Sequence, residues 1–174
     1  MTLIVARKSK KGNYILNDSL GIEIKEGDIR IKPIRKLHIN KERAISIAGF
    51  IPKELDFEKV IVEDLEITAR DVWGWYYSKH GKIDLLNSTI VYITHSELHS
   101  LEIDWKSVRH YEIEGFVVSG IFNERSLGFI SEEFNEENAL RFLRENQKYG
   151  LSDSNLEYAV SQNGCFKSKV LRDS

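Results

Sequence analysis

Thr2 is the residue of this 174-residue chain whose type and place could do the most chemistry. A threonine hydroxyl is a weak nucleophile until a base stands beside it, and a free α-amino group titrates at about 7.7 to 8.0, near working pH. Loss of Met1, or other processing, would put both groups on one residue: the Thr2 hydroxyl as nucleophile, its own amine as base. The other candidates read differently. Cys165 is the single cysteine, so it has no disulfide partner and no second thiolate for a zinc or iron-sulfur site, and no paired base stands near it in sequence; it reads as structural. His95-Ser96-Glu97-Leu98-His99 is half of a metal motif, but it is not His-Glu-x-x-His and falls where a hairpin turn is expected, which scatters histidines that a helix would align. No metal site is expected. There is no Gly-rich phosphate loop and no Gly-x-Ser-x-Gly elbow, and no cofactor is implied.

The elements that must position Thr2 begin with it. Short β-branched segments at 3–6, 14–16, 29–39 and 44–48 are separated by turn chemistry at Lys11-Gly12-Asn13, Asn17-Asp18-Ser19, Glu26-Gly27-Asp28 and Asn40-Lys41-Glu42. Connections this short imply antiparallel pairing, since a parallel return needs a crossover of a dozen or more residues. Between Pro52 and His80 the apolar residues Leu55, Val60, Ile61, Leu65, Val72 and Trp75 take helical spacing, predicting one or two helices. The run Trp73-Gly74-Trp75-Tyr76-Tyr77 reads as core or subunit interface, where aromatic residues are enriched. A second meander is predicted over 89–94, 98–103 and 111–119, with Ser96-Glu97 as a hairpin turn. Phe134, Ala139, Leu140, Phe142 and Leu143 predict a helix with a solvated acidic start at Glu132-Glu133 and Glu136-Glu137. Ser152-Asp153-Ser154 would cap a further helix through Leu156, Ala159 and Val160, stopped by Asn163-Gly164. A last strand at 166–171 would close a sheet.

This order, strands, helices, strands, helices, strand, lacks the alternation of a doubly wound sheet. It predicts an α+β fold of two antiparallel sheets with helices on their outer faces. With no Pro-rich linker and no repeat, residues 1–174 are expected to form a single domain. The formal charge is −2, from 25 basic and 27 acidic residues, which gives no global attraction to nucleic acid or to an anionic membrane. The apolar start is interrupted at once by Arg7, Lys8, Lys10 and Lys11, so neither a signal peptide nor a transmembrane helix is expected, and the expected compartment is the cytoplasm.

Thr2-Leu3-Ile4-Val5-Ala6-Arg7, then Tyr14-Ile15-Leu16-Asn17-Asp18-Ser19, then Arg35-Lys36-Leu37-His38-Ile39, then Ser46-Ile47-Ala48-Gly49 resemble, in this order, the opening of proteasome β-subunits and the related bacterial ring-forming peptidases. Farther on the likeness runs through Ile90-Val91-Tyr92-Ile93-Thr94, Phe116-Val117-Val118-Ser119-Gly120 and Gly150-Leu151-Ser152-Asp153. The resemblance implies the N-terminal nucleophile hydrolase fold, a four-layer α/β/β/α sandwich. It implies a threonine endopeptidase with Thr2 as nucleophile, Lys36 as its activating cation and Asp18 as the orienter of that lysine. The Gly49 amide would face the developing oxyanion, and Ser119 would stand near the oxyanion and the terminal amine. Lys32 is an alternative to Lys36, because strand alternation puts 32, 34 and 36 on one face. The resemblance also implies a homo-oligomeric ring, a peptide or unfolded-protein substrate, and an ATP-dependent unfoldase as a possible partner. Where that family carries Asp-x-x-Ser-Gly near its last helix, this chain reads Val160-Ser161-Gln162-Asn163-Gly164. An inactive scaffold or assembly subunit is the alternative function.

Overall fold

The computed structural model describes residues 3–25, 28–50, 57–61, 65–82, 86–151 and 155–172. β1 (Leu3–Arg7) and β2 (Tyr14–Asp18) form an antiparallel pair, with Arg7 opposite Tyr14 and Ile4 opposite Asn17. β3 (Leu20–Lys25) and β4 (Asp28–Pro33) form a two-stranded sheet of their own. β5 (Leu37–Ile39) and β6 (Arg43–Gly49) follow, then α1 (Phe57–Val60) and α2 (Leu65–Ser78). β7 (Ser88–Thr94), β8 (Leu98–Ile103) and β9 (Val108–Glu112) continue the sheet begun by β5, in the order β5-β6-β7-β8-β9. β10 (Phe116–Gly120) returns to β1; after a 3-10 turn (Glu124–Phe129) and α3 (Glu136–Gln147), β11 (Asn155–Gln162) and β12 (Cys165–Arg172) complete the order β10-β1-β2-β11-β12.

Each of the two large sheets is buried on two sides, which is why the apolar runs are continuous rather than alternating. Ile4, Ala6 and Ile15 pack with Ala159 and Phe166 against Leu37, Ala44, Ala48, Val91, Ile93 and Leu98 of the other sheet. The opposite face of β1 and β2, carrying Leu3, Val5, Tyr14 and Leu16, packs with Ala139, Phe142 and Leu143 of α3. Ala69, Val72 and Tyr76, at helical spacing along α2, pack on Ile45, Ile47, Ile90 and Leu101.

Several expectations are corrected. The architecture is not a helix-flanked four-layer sandwich of two sheets: among the described residues three antiparallel sheets make up most of the structure, and helices are few. The segment 20–25, outside the strands expected, is β3. The single strand expected over 29–39 is broken at 34–36 into β4 and β5, and that over 111–119 is broken into β9 and β10, which belong to different sheets. The helix expected through Leu156, Ala159 and Val160 is β11, and Asn163-Gly164 is the two-residue turn of the β11–β12 hairpin, with φ of 52° and 75°. Positive φ at both residues is what the right-handed twist of the flanking strands requires of a type I′ turn. The cap residues Ser152, Asp153 and Ser154 lie outside the described residues, as do Met1, Thr2, Pro52 and Leu55.

Candidate active site

Asp18 is the last residue of β2, and its carboxylate folds back to the start of β1: the Leu3 N–H donates to Asp18 Oδ1 at 3.0 Å. The break between β4 and β5 brings a cation to the same oxygen. Ile34 N–H donates to the Ser19 carbonyl at 2.7 Å, which lays 34–36 along the end of β2. Lys36 Nζ then stands 3.1 Å from Asp18 Oδ1 and also donates to the Leu20 carbonyl. Both side chains are out of solvent, at 1% exposed for Lys36 and 0% for Asp18. Ion pairs this deep are costly to desolvate and are held by added hydrogen bonds; here the Leu3 amide and the Leu20 carbonyl supply them. Lys32, by contrast, lies opposite Gly21 on the β3–β4 hairpin and is exposed.

Asn17 was not singled out by sequence, and it braces this pair. Its Nδ2 donates to the Asp18 carbonyl at 2.9 Å, and its Oδ1 accepts from Ser46 Oγ at 3.2 Å. Asn17 and Ser46 are fully buried and join the two large sheets. The signal was present in the sequence: an amide side chain closing the otherwise apolar strand Tyr14-Ile15-Leu16 needs a buried partner.

Gly49 ends β6 opposite Ser88. Phe50 N–H donates to the Asn87 carbonyl at 2.9 Å, and Phe50 stands opposite Asn87 in the same register. Hydrogen-bonded and non-hydrogen-bonded pairs alternate along an antiparallel ladder, so Gly49–Ser88 is of the second kind and the Gly49 N–H points away from β7. It is turned to the side of β6 on which β5 lies, β5 beginning with Leu37 opposite Ser46. Only glycine suits this place: φ is +83°, and a Cβ would come within 2.4 Å of the Asn87 carbonyl oxygen.

Ser119 sits on β10 opposite Ile4, half-buried, with Gly120 opposite Leu3. Thus the structure gathers Asp18, Lys36 and the Leu3 amide into one contact. It sets Ser119 across β1 from them and places Gly49 on the neighbouring sheet. Thr2 lies outside the described residues; it precedes Leu3 in the chain.

The remaining candidates are dispersed. His95 Nδ1 meets Ser161 Oγ at 2.6 Å, whereas His99 faces His110 at 3.1 Å and Glu97 at 3.3 Å. Among the described residues, no group of three or more His, Cys, Asp or Glu side chains gathers as a metal site. The stretch Val160 to Gly164 lies on β11 and its hairpin turn, not beside a last helix. Of the aromatic run, Tyr76 is fully buried and Tyr77 is exposed, while Trp75 stacks on Phe50 with ring centroids 5.2 Å apart. Burial pushes the Tyr76 hydroxyl up to about 12. Among the described residues, no helix is long and apolar enough to cross a membrane.

No protein-family model matches the chain, and no curated protein matches it by sequence. Among solved structures it is similar to the Anbu (Gly-1) mutant from Hyphomicrobium sp. strain MC1, at 13% identity and a TM-score of 0.61, over 99% of this chain and 87% of that one. Identity this low shows a likeness of fold alone. Membership of the proteasome β-subunit and bacterial ring-peptidase family, as the opening residues implied, is therefore corrected to a distant likeness of fold.

Proposed function

We propose that the chain is a threonine-type endopeptidase whose nucleophile is Thr2 after removal of Met1. The observation that carries the reading is the buried Lys36–Asp18 pair, whose shared oxygen also holds the Leu3 amide, the peptide group next to Thr2. In the reaction, the Thr2 hydroxyl attacks the scissile carbonyl and passes its proton to the Thr2 amine. The new C–O bond forms as the carbonyl becomes an oxyanion facing the Gly49 amide. The C–N bond then breaks, the departing amine takes the proton from the Thr2 amine, and water releases the acyl group by the reverse sequence. Lys36 favours the deprotonated threonine oxygen electrostatically, Asp18 holds Lys36, and Ser119 on β10 stands by the terminal amine.

The wider reading follows the same likeness. Residues 1–174 form one domain, copies of it assemble as a ring with the sites facing inward, and an ATP-dependent unfoldase supplies unfolded polypeptide. Thr2→Ala tests the chemistry directly. Hydrolysis of fluorogenic peptides should fall to background while the assembled mass, read by light scattering, stays as in the parent. Hydrolysis that survives Thr2→Ala would sink the proposal, and a chain that keeps Met1 and cleaves nothing would be the scaffold subunit instead.

A further inference from the structure

The aromatic run on α2 reaches the site through one residue. Tyr76, fully buried, places its hydroxyl 2.7 Å from Ser88 Oγ, and Ser88, 1% exposed, donates in turn to the Phe50 carbonyl. A serine hydroxyl has a single proton. Because Ser88 spends it on Phe50, the Tyr76 hydroxyl must be the donor in the first contact. The relay thus runs one way, from Tyr76 O–H to Ser88 O–H to the carbonyl of Phe50. The Phe50 N–H is tied separately to the Asn87 carbonyl at 2.9 Å, and the Phe50 ring stacks on Trp75. Residue 50 is therefore held by its amide, its carbonyl and its ring. The residue before it is Gly49, left-handed at φ +83°, with its N–H turned out of the β6–β7 ladder.

We infer that Tyr76 and Ser88 are positioning residues, a hydrogen-bond relay from α2 that fixes the Gly49–Phe50 turn so that the Gly49 N–H stays aimed at the reacting carbonyl. This rests on the threonine-peptidase reading for its chemical consequence, though the relay itself does not. A glycine can rotate away from a strained φ at little steric cost, so an oxyanion donor carried on glycine needs its orientation imposed from outside. The relay imposes it from the hydrophobic face of α2.

Tyr76→Phe removes the first donor and keeps the buried ring. Amide exchange followed by NMR should show the Phe50 N–H exchanging about ten times faster, with the β1 amides unchanged. On a fluorogenic peptide, kcat should fall by about ten- to a hundredfold with KM unchanged, the signature of a misplaced catalytic donor. A peptidyl boronate, whose tetrahedral adduct places an oxygen in the oxyanion position, should bind more weakly by a similar factor. Ser88→Ala should reproduce these effects, and Ser88→Thr, which restores the hydroxyl, should relieve them. Parent-like Phe50 exchange in both Tyr76→Phe and Ser88→Ala would overturn the relay; faster exchange with unchanged kcat and boronate affinity would overturn its positioning role. Hydrolysis that persists in Thr2→Ala would instead remove the peptidase reading and leave the exchange result intact, so the two failures are distinguishable.

Discussion

The Lys36 side chain is among the largest fully buried ones of the described residues, and the Asp18 carboxylate and the Leu20 carbonyl are among the groups that hold its ammonium. Removing one member of such a pair leaves an uncompensated buried charge, whereas replacing both by apolar groups is often tolerated. Lys36→Met should thus cost about 3–5 kcal/mol in urea unfolding, and Asp18→Leu combined with Lys36→Met should recover most of it while remaining inactive; a double-variant loss equal to the sum of the two single losses would mean that the pair is not coupled. Tyrosines provide a second residue-scale test. Burial pushes both Tyr14 and Tyr76 from the ordinary 10.0 up to about 12. The folded state therefore favours the protonated phenol, so their contribution is fully present below pH 10 and is lost as pH rises from 10 to 12. Thermal unfolding between pH 9 and 12 should show a melting temperature that falls less steeply in Tyr14→Phe/Tyr76→Phe than in the parent, and parallel curves would contradict this. At this scale the sequence made Asp18 and Lys36 legible as candidates, but not the choice between Lys36 and Lys32. Strand alternation applied across 29–39 treats the two lysines alike, and the break at 34–36 is what sends Lys36 inward and leaves Lys32 outside. The Asn17–Ser46 brace joins residues 29 positions apart, a contact that no local pattern encodes.

Among the elements, β11 shows most clearly where local reading fails. Leu156 and Tyr158 face α3, while Ala159 faces the second sheet. A strand buried on both sides has no period of two, and Leu156, Ala159 and Val160 happen to fall at helical spacing. Asn163-Gly164 is equally ambiguous, because the positive φ that ends a helix also makes a type I′ hairpin. The turn can be tested by itself. A Cβ at Gly164 meets no atom within 4 Å, so Gly164→Ala carries no clash and should destabilise by about 1–2 kcal/mol through the left-handed backbone alone; an unchanged denaturation midpoint would show that the turn relaxes to another form. By contrast β1, β6, β7 and β8 and the helix α3 were legible, since each combines β-branched or helical patterning with flanking turn residues. The aromatic run on α2 read as core or interface, and its link to Ser88 and Phe50 emerges only in three dimensions.

At the scale of the molecule, the succession of strand and helix blocks was legible as far as α3, and the strand that follows it and the number of sheets were not. Among the described residues β3 and β4 pair with one another alone, and β3, with a glycine and charged residues within 20–25, lay outside the strands that the pattern predicted. The family that the first fifty residues suggested is corrected to a distant similarity of fold to Anbu, at 13% identity over 99% of the chain, and the proposed chemistry stands or falls on residue 2. The direct measurement is the intact mass of the purified protein before and after a peptidyl epoxyketone, a reagent that needs a hydroxyl and a free amine on the same residue to form its ring adduct. The expected result is a parent mass lacking Met1 and a single stoichiometric adduct that maps to Thr2 and is absent in Thr2→Ala. A chain that retains Met1 and takes up no reagent would contradict the threonine-peptidase assignment outright.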